Sequence, residues 1–321
     1  MAAKQREGAE KAEPDTLILG AAGQVGSELL SRLPPEKVIP RARETTDIRN
    51  LDAVTKLIEA VRPKFVINAA ATCPLRVNNF MDHWATNAFA VDHLVKTCAL
   101  NDVALVHFST SDVFGATPGS DPRVEMDPVA PLNTFAASKA AGEHAMLAMG
   151  QYSCSDFVNF KYWIIRSSML YARPGRFHHN LLHLKLEQAM RTRSPVLLPN
   201  DIFRSPTYVP DLVDQVVWLL DNHRQVPPGI YHIANKGQAS LFELVSKVRT
   251  QVDSKAMMQL GSCSRSQFVA NGELLRADDF PTNGVLDVSR WDELSPIPLR
   301  PWQEALADFG REYIAGREGS S

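Results

Sequence analysis

Short apolar runs alternate along this chain with stretches of helical spacing. Residues 16–19 form an apolar run that ends at Gly20-Ala21-Ala22-Gly23-Gln24-Val25-Gly26, and a helix is predicted from there to about Leu33, before Pro34-Pro35. A second strand is expected near 37–39. Over 51–61, Leu51, Val54, Leu57, Ile58 and Val61 recur on one helical face. Further strands are expected at 65–70, 104–109 and 162–166, with helices at 84–101 and 132–149 between them. Strands alternating with helices of this length imply βαβ units. The predicted fold class is therefore α/β, a doubly wound parallel sheet of Rossmann type.

The alternation loosens after about Arg166. Helices are expected at 180–193, 211–223 and 240–252, separated by short pieces such as Val196-Leu197-Leu198 and Gly229-Ile230-Tyr231-His232-Ile233. Proline recurs at 195, 199, 206, 210, 227 and 228. This pattern reads as a smaller substrate lobe on the carboxyl edge of the sheet, where such lobes close ligand clefts. The expected organisation is a disordered tail over 1–15, a dinucleotide-binding domain over 16–165, a substrate lobe over 166–315 that interleaves with the first, and a tail over 316–321.

Composition narrows the partners. The chain has 321 residues, 45% hydrophobic and 22% charged, with a formal net charge of −2. That balance gives no reason to expect nucleic acid or an anionic membrane surface. No apolar run reaches the length of a membrane span. The first fifteen residues are polar, without the apolar core of a signal peptide, so a cytoplasmic protein is expected. Cys73, Cys98, Cys154 and Cys263 are scattered and read as reduced thiols rather than metal ligands. His178, His179 and His183 are close in sequence, but without a matching set of ligands they predict no metal. A homodimer is compatible with the composition.

The strongest local signal is Gly20-x-x-Gly23-x-x-Gly26 at the first strand-to-helix turn. The first glycine permits the turn, the second lets backbone approach a pyrophosphate, and the third lets helix and strand pack closely. Gln24 and Val25 open the helix whose N-terminus would meet the phosphate charge. The acidic residue expected about 20 residues on is replaced by Pro40-Arg41-Ala42-Arg43. Arginines there can pair with a 2′-phosphate, which favours NADP and leaves NAD open.

The glycine spacing resembles that of the extended short-chain dehydrogenases, and the second half of the chain resembles the dTDP-4-dehydrorhamnose reductase family. Asp47-Ile48 resembles the family's adenine-contacting pair. Asn68-Ala69-Ala70-Ala71 resembles its strand-four segment, and Asn87 the asparagine on the next helix. Ser109-Thr110-Ser111-Asp112-Val113-Phe114 resembles the Ser-Thr-x-x-Val-Phe segment that places a substrate-polarising hydroxyl at Thr110. Arg166 to Tyr171, Pro206 to Leu212, Gly229 to Ala234, and Pro281 to Arg290 with Leu299 to Trp302 resemble further family segments. The resemblance implies a nicotinamide cofactor, a small-molecule substrate of the nucleotide-sugar kind, and a role for Lys139 in holding the nicotinamide ribose.

Two positions depart from the family. The acidic loop after the strand-four segment is Leu75-Arg76-Val77-Asn78-Asn79 here. The family's Tyr-x-x-x-Lys is Phe135-x-x-x-Lys139, which removes the phenol that donates the proton. Residues i and i+4 share a helix face, so Phe135 and Lys139 are expected in one cleft. Four explanations stand. Another donor can serve a reductase: Ser111, Asp112, Tyr208 or a water held by Lys139. The scaffold can perform non-redox or cofactor-assisted chemistry. The chain can be a catalytically inactive, cofactor-binding regulatory subunit. Or the phenylalanine was introduced to trap a complex.

Overall fold

A computed structural model describes residues 14–73, 79–115, 117, 119–152, 160–173, 181–192, 194–253, 257–270 and 281–318. Most of the two expected tails, Cys154, His178, His179 and residues 75–78 of the departing loop lie outside the described residues.

The first half builds the sheet. Strands β1 (Thr16–Leu19), β2 (Val38–Arg41), β3 (Phe65–Asn68), β4 (Ala104–Thr110) and β5 (Tyr162–Ser167) alternate with helices α1 (Gln24–Arg32), α2 (Leu51–Val61), α3 (Phe80–Trp84), α4 (Ala90–Leu100) and α5 (Thr134–Tyr152). All four residues of β1 and of β3 are buried, as a strand covered on both faces requires. Helix α1 ends where Leu33 becomes extended before Pro34, which disfavours the helical conformation in the residue preceding it. Helix α2 is capped by the Asn50 side chain, which accepts from Ala53 N at 3.2 Å.

The expected helix at 84–101 differs in the structure. It begins at Phe80, where the Asn79 side chain accepts from Met81 N at 3.0 Å, and passes through a π turn over Ala85–Phe89 before α4. Such wide turns concentrate at functional sites, and this one buries Thr86, Asn87 and Ala88.

The second half supplies β6 (Leu170–Tyr171), α6 (Leu181–Arg191), β7 (Val196–Pro199), β8 (Phe203–Arg204), β9 (Thr207–Tyr208), α7 (Val209–Asn222) and β10 (Gly229–His232). It continues through β11 (Ala239–Ser240), α8 (Leu241–Val252), β12 (Leu260–Cys263), α9 (Arg265–Ala270), β13 (Asn283–Gly284), α10 (Ser289–Leu294) and α11 (Trp302–Glu318). The segment around 229–233, grouped in sequence with the lobe fragments, instead pairs in parallel with β5, Gly229 opposite Trp163 and His232 opposite Arg166. The main sheet is therefore β2-β1-β3-β4-β5-β10, six strands, all parallel.

Three apolar cores result from this path. One face of the sheet packs on α1, α7 and α10 through Leu29, Val213, Val216 and Trp291. The other packs on α2, α4 and α5 through Ile58, Leu94, Val95 and Met146. A separate core joins α6, α8 and α11 with the β7–β12 pair, through Leu186, Leu244, Val248 and Phe309. The strand order reverses between β1 and β3. The crevice beyond their carboxyl ends is where doubly wound sheets bind ligands.

One buried ion pair fixes α5 against this edge. Arg166, at the end of β5, grips Glu143 of α5 with Nε–Oε1 at 3.0 Å and Nη2–Oε2 at 2.7 Å, and both side chains are buried. Arg166 also donates to the Glu125 carbonyl at 3.2 Å and lies over the Phe114 ring. Truncating one partner leaves the other charge buried and alone. Arg166→Ala should therefore cost about 3–5 kcal/mol of stability. The double variant Arg166→Met/Glu143→Leu should recover much of that loss in urea unfolding.

Candidate active site

The glycine turn sits where backbone is crowded. Gly20 has φ +78°, and a Cβ there would lie 2.5 Å from Ala70 N at the end of β3. A Cβ on Gly26 would lie 2.3 Å from the Gly20 carbonyl, so α1 can approach the turn only with glycine at that position. Helix α1 starts at Gln24 with no side-chain cap and no acidic residue in its first turn. Its N–H groups are left facing the crevice, as an anion site requires. Gln24 Oε1 and Ser109 Oγ, both shielded from solvent, have no hydrogen-bond partner among the described residues. The cradle thus fits a dinucleotide pyrophosphate.

The far end of the crevice separates the two arginines. Gly20 N and Ala21 N both donate to the Arg41 carbonyl, at 2.9 and 3.0 Å, which ties the end of β2 to the turn. Arg41 reaches only the Pro40 carbonyl, at 2.9 Å, and has no carboxylate partner among the described residues. Arg43 is paired with Asp47 at 3.3 Å. Asp47 is also gripped by Arg49, with Nη2–Oδ2 at 2.6 Å, and these hydrogen bonds hold its carboxyl down at about 2. Arg49 continues to Asp82 of α3 at 3.1 Å. Ile48 is buried in the core that α2 and α4 share. Of the two arginines, Arg41 is thus the one without a carboxylate partner among the described residues.

Behind the cleft runs a buried polar chain. Asn68, closing β3, sits opposite His107 on β4, with Nδ2 3.1 Å from His107 Nδ1. His107 Nε2 lies 3.2 Å from Lys139 Nζ, and Nζ donates to the Phe108 carbonyl. His107 is fully buried and Lys139 is 3% exposed. Desolvation draws the Lys139 ammonium from its ordinary 10.5 down to about 8, against the opposing pull of Glu143. Burial, with Lys139 alongside, holds His107 well below the usual imidazole range. Sequence reasoning missed His107, although a polar residue inside the apolar run Leu105-Val106-His107-Phe108 was the available signal.

Asn87 turns inward. Its amide oxygen accepts from Thr72 N, and its Nδ2 donates to the Thr72 carbonyl and to Ser138 Oγ, each at 3.1 Å. It is fully buried. Asn87 thus staples the segment after Ala69-Ala70 to α5, a supporting position rather than an exposed contact.

Helix α5 is capped by Asn133, whose Oδ1 accepts from Ala136 N at 2.8 Å. That sets Phe135 and Lys139 on the face toward the sheet edge. The Phe135 ring meets the buried His83 ring edge-on, with centroids 5.8 Å apart, and His83 Nδ1 is 2.9 Å from Thr72 Oγ1. Thr110 Oγ1 accepts from Asp112 N at 3.2 Å, which leaves its own hydroxyl hydrogen available to a ligand.

The alternative donors named from sequence fare differently. Ser111 is buried and donates to Ser168 Oγ at 2.7 Å. The Tyr208 hydroxyl donates to Glu312 at 2.7 Å, and burial raises its pKa. Asp112 pairs with Arg204 of β8 at 3.3 Å. Lys139, one turn after Phe135 on α5, is engaged by His107 and the Phe108 carbonyl.

A family profile described as the RmlD substrate binding domain matches residues 15–314. The chain belongs to that family. Two dTDP-4-dehydrorhamnose reductases are each 30% identical to it. The one from Mycolicibacterium smegmatis matches 91% of this chain and 84% of its own length, and the one from Burkholderia thailandensis 93% and 99%. The crystal structure of the Bacillus anthracis dTDP-4-dehydrorhamnose reductase in complex with NADP superposes with TM-score 0.79 at 25% identity, covering 94% of this chain and all of that one. UDP-glucose 4-epimerase from Thermus thermophilus, solved with NAD, shares the fold at TM-score 0.71 and 20% identity. Among the described residues no helix of this RmlD-family chain is long and apolar enough to cross a membrane.

Burial of Lys139 makes a stability prediction. Its folded pKa of about 8 lies below the ordinary 10.5, so between those values the unfolded chain binds more protons. Stability from this group therefore rises with pH across that window, and below it the buried ammonium is a cost. Lys139→Met should raise Tm at pH 7, and the gain should shrink as pH climbs from 8 toward 10.5. Thermal unfolding at both ends checks this.

Proposed function

We propose that this chain is an NADP(H)-dependent reductase of a 4-keto sugar nucleotide, of the dTDP-4-dehydrorhamnose kind. The observation that carries the reading is the match to the RmlD family over residues 15–314, supported by a glycine turn after β1 and by Thr110 at the end of β4 in the same parallel sheet. Curated relatives with that activity, and a solved reductase with NADP bound, support it. The bound cofactor supplies the hydride. The chain supplies everything else. Gly20, Gly23 and Gly26 with the N-terminus of α1 take the pyrophosphate, and Arg41 takes the 2′-phosphate. Thr110 donates a hydrogen bond to the ketone oxygen, and Lys139 places a cation beside it. The sugar nucleotide is assigned to the crevice between the sheet edge and the segments that carry β8, β9 and β13.

Two measurements test the reading. Thermal-shift titration should show stabilisation by NADPH, greater than by NADH. Arg41→Ala should weaken NADPH about tenfold or more, leave NADH nearly unchanged, and so remove the preference. Equal loss for both cofactors would remove Arg41 from the 2′-phosphate. Incubation with dTDP-4-dehydrorhamnose should oxidise NADPH, and Phe135→Tyr should raise kcat about 10²-fold, the scale of a restored acid. Absence of NADPH oxidation in both proteins would sink the reductase reading.

A further inference from the structure

We propose that Ser111, Asp112 and Arg204 are positioning residues, a double latch through which strands β8 and β13 aim the Thr110 hydroxyl at the ketone. The inference rests on the reductase reading. It starts from the hydrogen bond that Thr110 Oγ1 accepts from Asp112 N, at 3.2 Å. That bond occupies one lone pair of the oxygen, so the direction of the O–H follows the Ser111–Asp112 turn. Whatever holds the turn therefore sets the hydroxyl.

Two separate strings hold it, and both end on the same pair of strands. The inner string runs through hydroxyls. Ser111 Oγ donates to Ser168 Oγ at 2.7 Å, and Ser168 Oγ donates to the Gly284 carbonyl of β13 at 3.2 Å. Both serines are buried, so water does not compete for these bonds. The outer string runs through charge. Asp112 Oδ1 lies 3.3 Å from Arg204 Nη2 of β8, and Arg204 Nη1 donates to the Pro281 carbonyl at 2.9 Å. Strands β8 and β13 pair in parallel with Arg204 opposite Gly284, so the two strings close on a single rung.

Both strings carry a cost that apolar packing would avoid. Arg204 is a buried charge: desolvation draws its guanidinium below the ordinary value, and Asp112 opposes that. The guanidinium also needs Gly284, since a Cβ there would lie 2.8 Å from Arg204 Cδ and 2.9 Å from Nε. The inner string hangs from a strained bend. Met169, next to Ser168, has φ +41°, in the left-handed region that a residue with a side chain disfavours. Such strain persists only where the surroundings impose it, and it concentrates at functional sites. Asp112 is thus engaged rather than free to give a proton. It acts on the ketone through its backbone N–H and Thr110.

The latch joins substrate binding to the chemical step. The sugar nucleotide is assigned to the crevice that the segments carrying β8 and β13 border. A ligand that settles those strands acts, through Arg204 and Ser168, on the orientation of the Thr110 hydroxyl. Orientation at the reacting atom counts for more in the transition state than in ground-state binding. Loss of the latch therefore lowers kcat and spares the cofactor, whose cradle follows β1 on other contacts.

The test is a double-mutant cycle in the full-length protein, with NADPH and dTDP-4-dehydrorhamnose. Arg204→Met alone should lower kcat about tenfold or more, with the KM for NADPH held within about twofold. Thr110→Val removes the hydroxyl. In that background Arg204→Met should cost less than about twofold more, because a residue that acts through Thr110 has nothing left to aim. Gly284→Ala, which displaces the guanidinium without removing it, should behave as Arg204→Met does. Asp112→Asn covers the case in which Arg204→Met does not fold. A second readout needs no turnover. The Thr110 methyl, carrying 13C and identified by Thr110→Val, should give one NMR signal in the parent protein and a moved signal in each latch variant. Full additivity of Arg204→Met with Thr110→Val, a raised KM for the sugar nucleotide with kcat kept, or an unmoved methyl signal overturns the latch. Moved methyl signals with no NADPH oxidation by the unsubstituted protein overturn the reductase reading instead, and the catalytic role of the latch with it.

Discussion

Two buried cations, both bridging the sheet and helix α5, decide how that helix lies. Arg166 reaches from β5 to Glu143, and Lys139 reaches from α5 to the Phe108 carbonyl on β4. Taking a charge out of water is expensive, so each is tolerated only with its hydrogen bonds made. A helix held at two points a turn apart cannot roll. Its exposed end, with Phe135 beside the crevice, is therefore placed by polar contacts deep behind it.

The same logic explains why the site survives the loss of the phenol. Thr110 is set by the turn at the end of β4, where it caps the short helical segment Ser111–Phe114. The cofactor cradle is set by the contact of Gly20 with Ala70. Neither depends on the residue at 135. Substituting phenylalanine there removes one oxygen and leaves the surrounding geometry determined by other residues.

Much of the sheet was legible in the sequence because parallel strands buried on both faces are continuous apolar runs. Residues 16–19 and 51–61 emerged with the bounds that periodicity gave them. The glycine turn was legible because backbone crowding leaves few substitutes at Gly20. What was not legible depends on register between distant strands. Nothing local says that Asn68 stands opposite His107, or that residues 229–232 join β5. The early start of α3 was hidden because Asn79 caps it from a loop, and loop asparagines are common. The inward turn of Asn87 was hidden for a similar reason: its position resembles a cofactor contact, and only the fold reveals that Thr72 and Ser138 already use its amide.

The late arrival of β10 has a consequence for synthesis. The chain completes β5 and then builds β6, α6, β7, β8, β9 and α7 before the strand that covers β5 exists. Throughout that interval the growing sheet presents Trp163, Ile164 and Ile165 along an open edge. An unpaired apolar edge is a template for another chain, so this is the stage at which nascent copies can pair wrongly. The ribosome-bound intermediate, rather than the finished protein, is where this fold most needs protection from its neighbours.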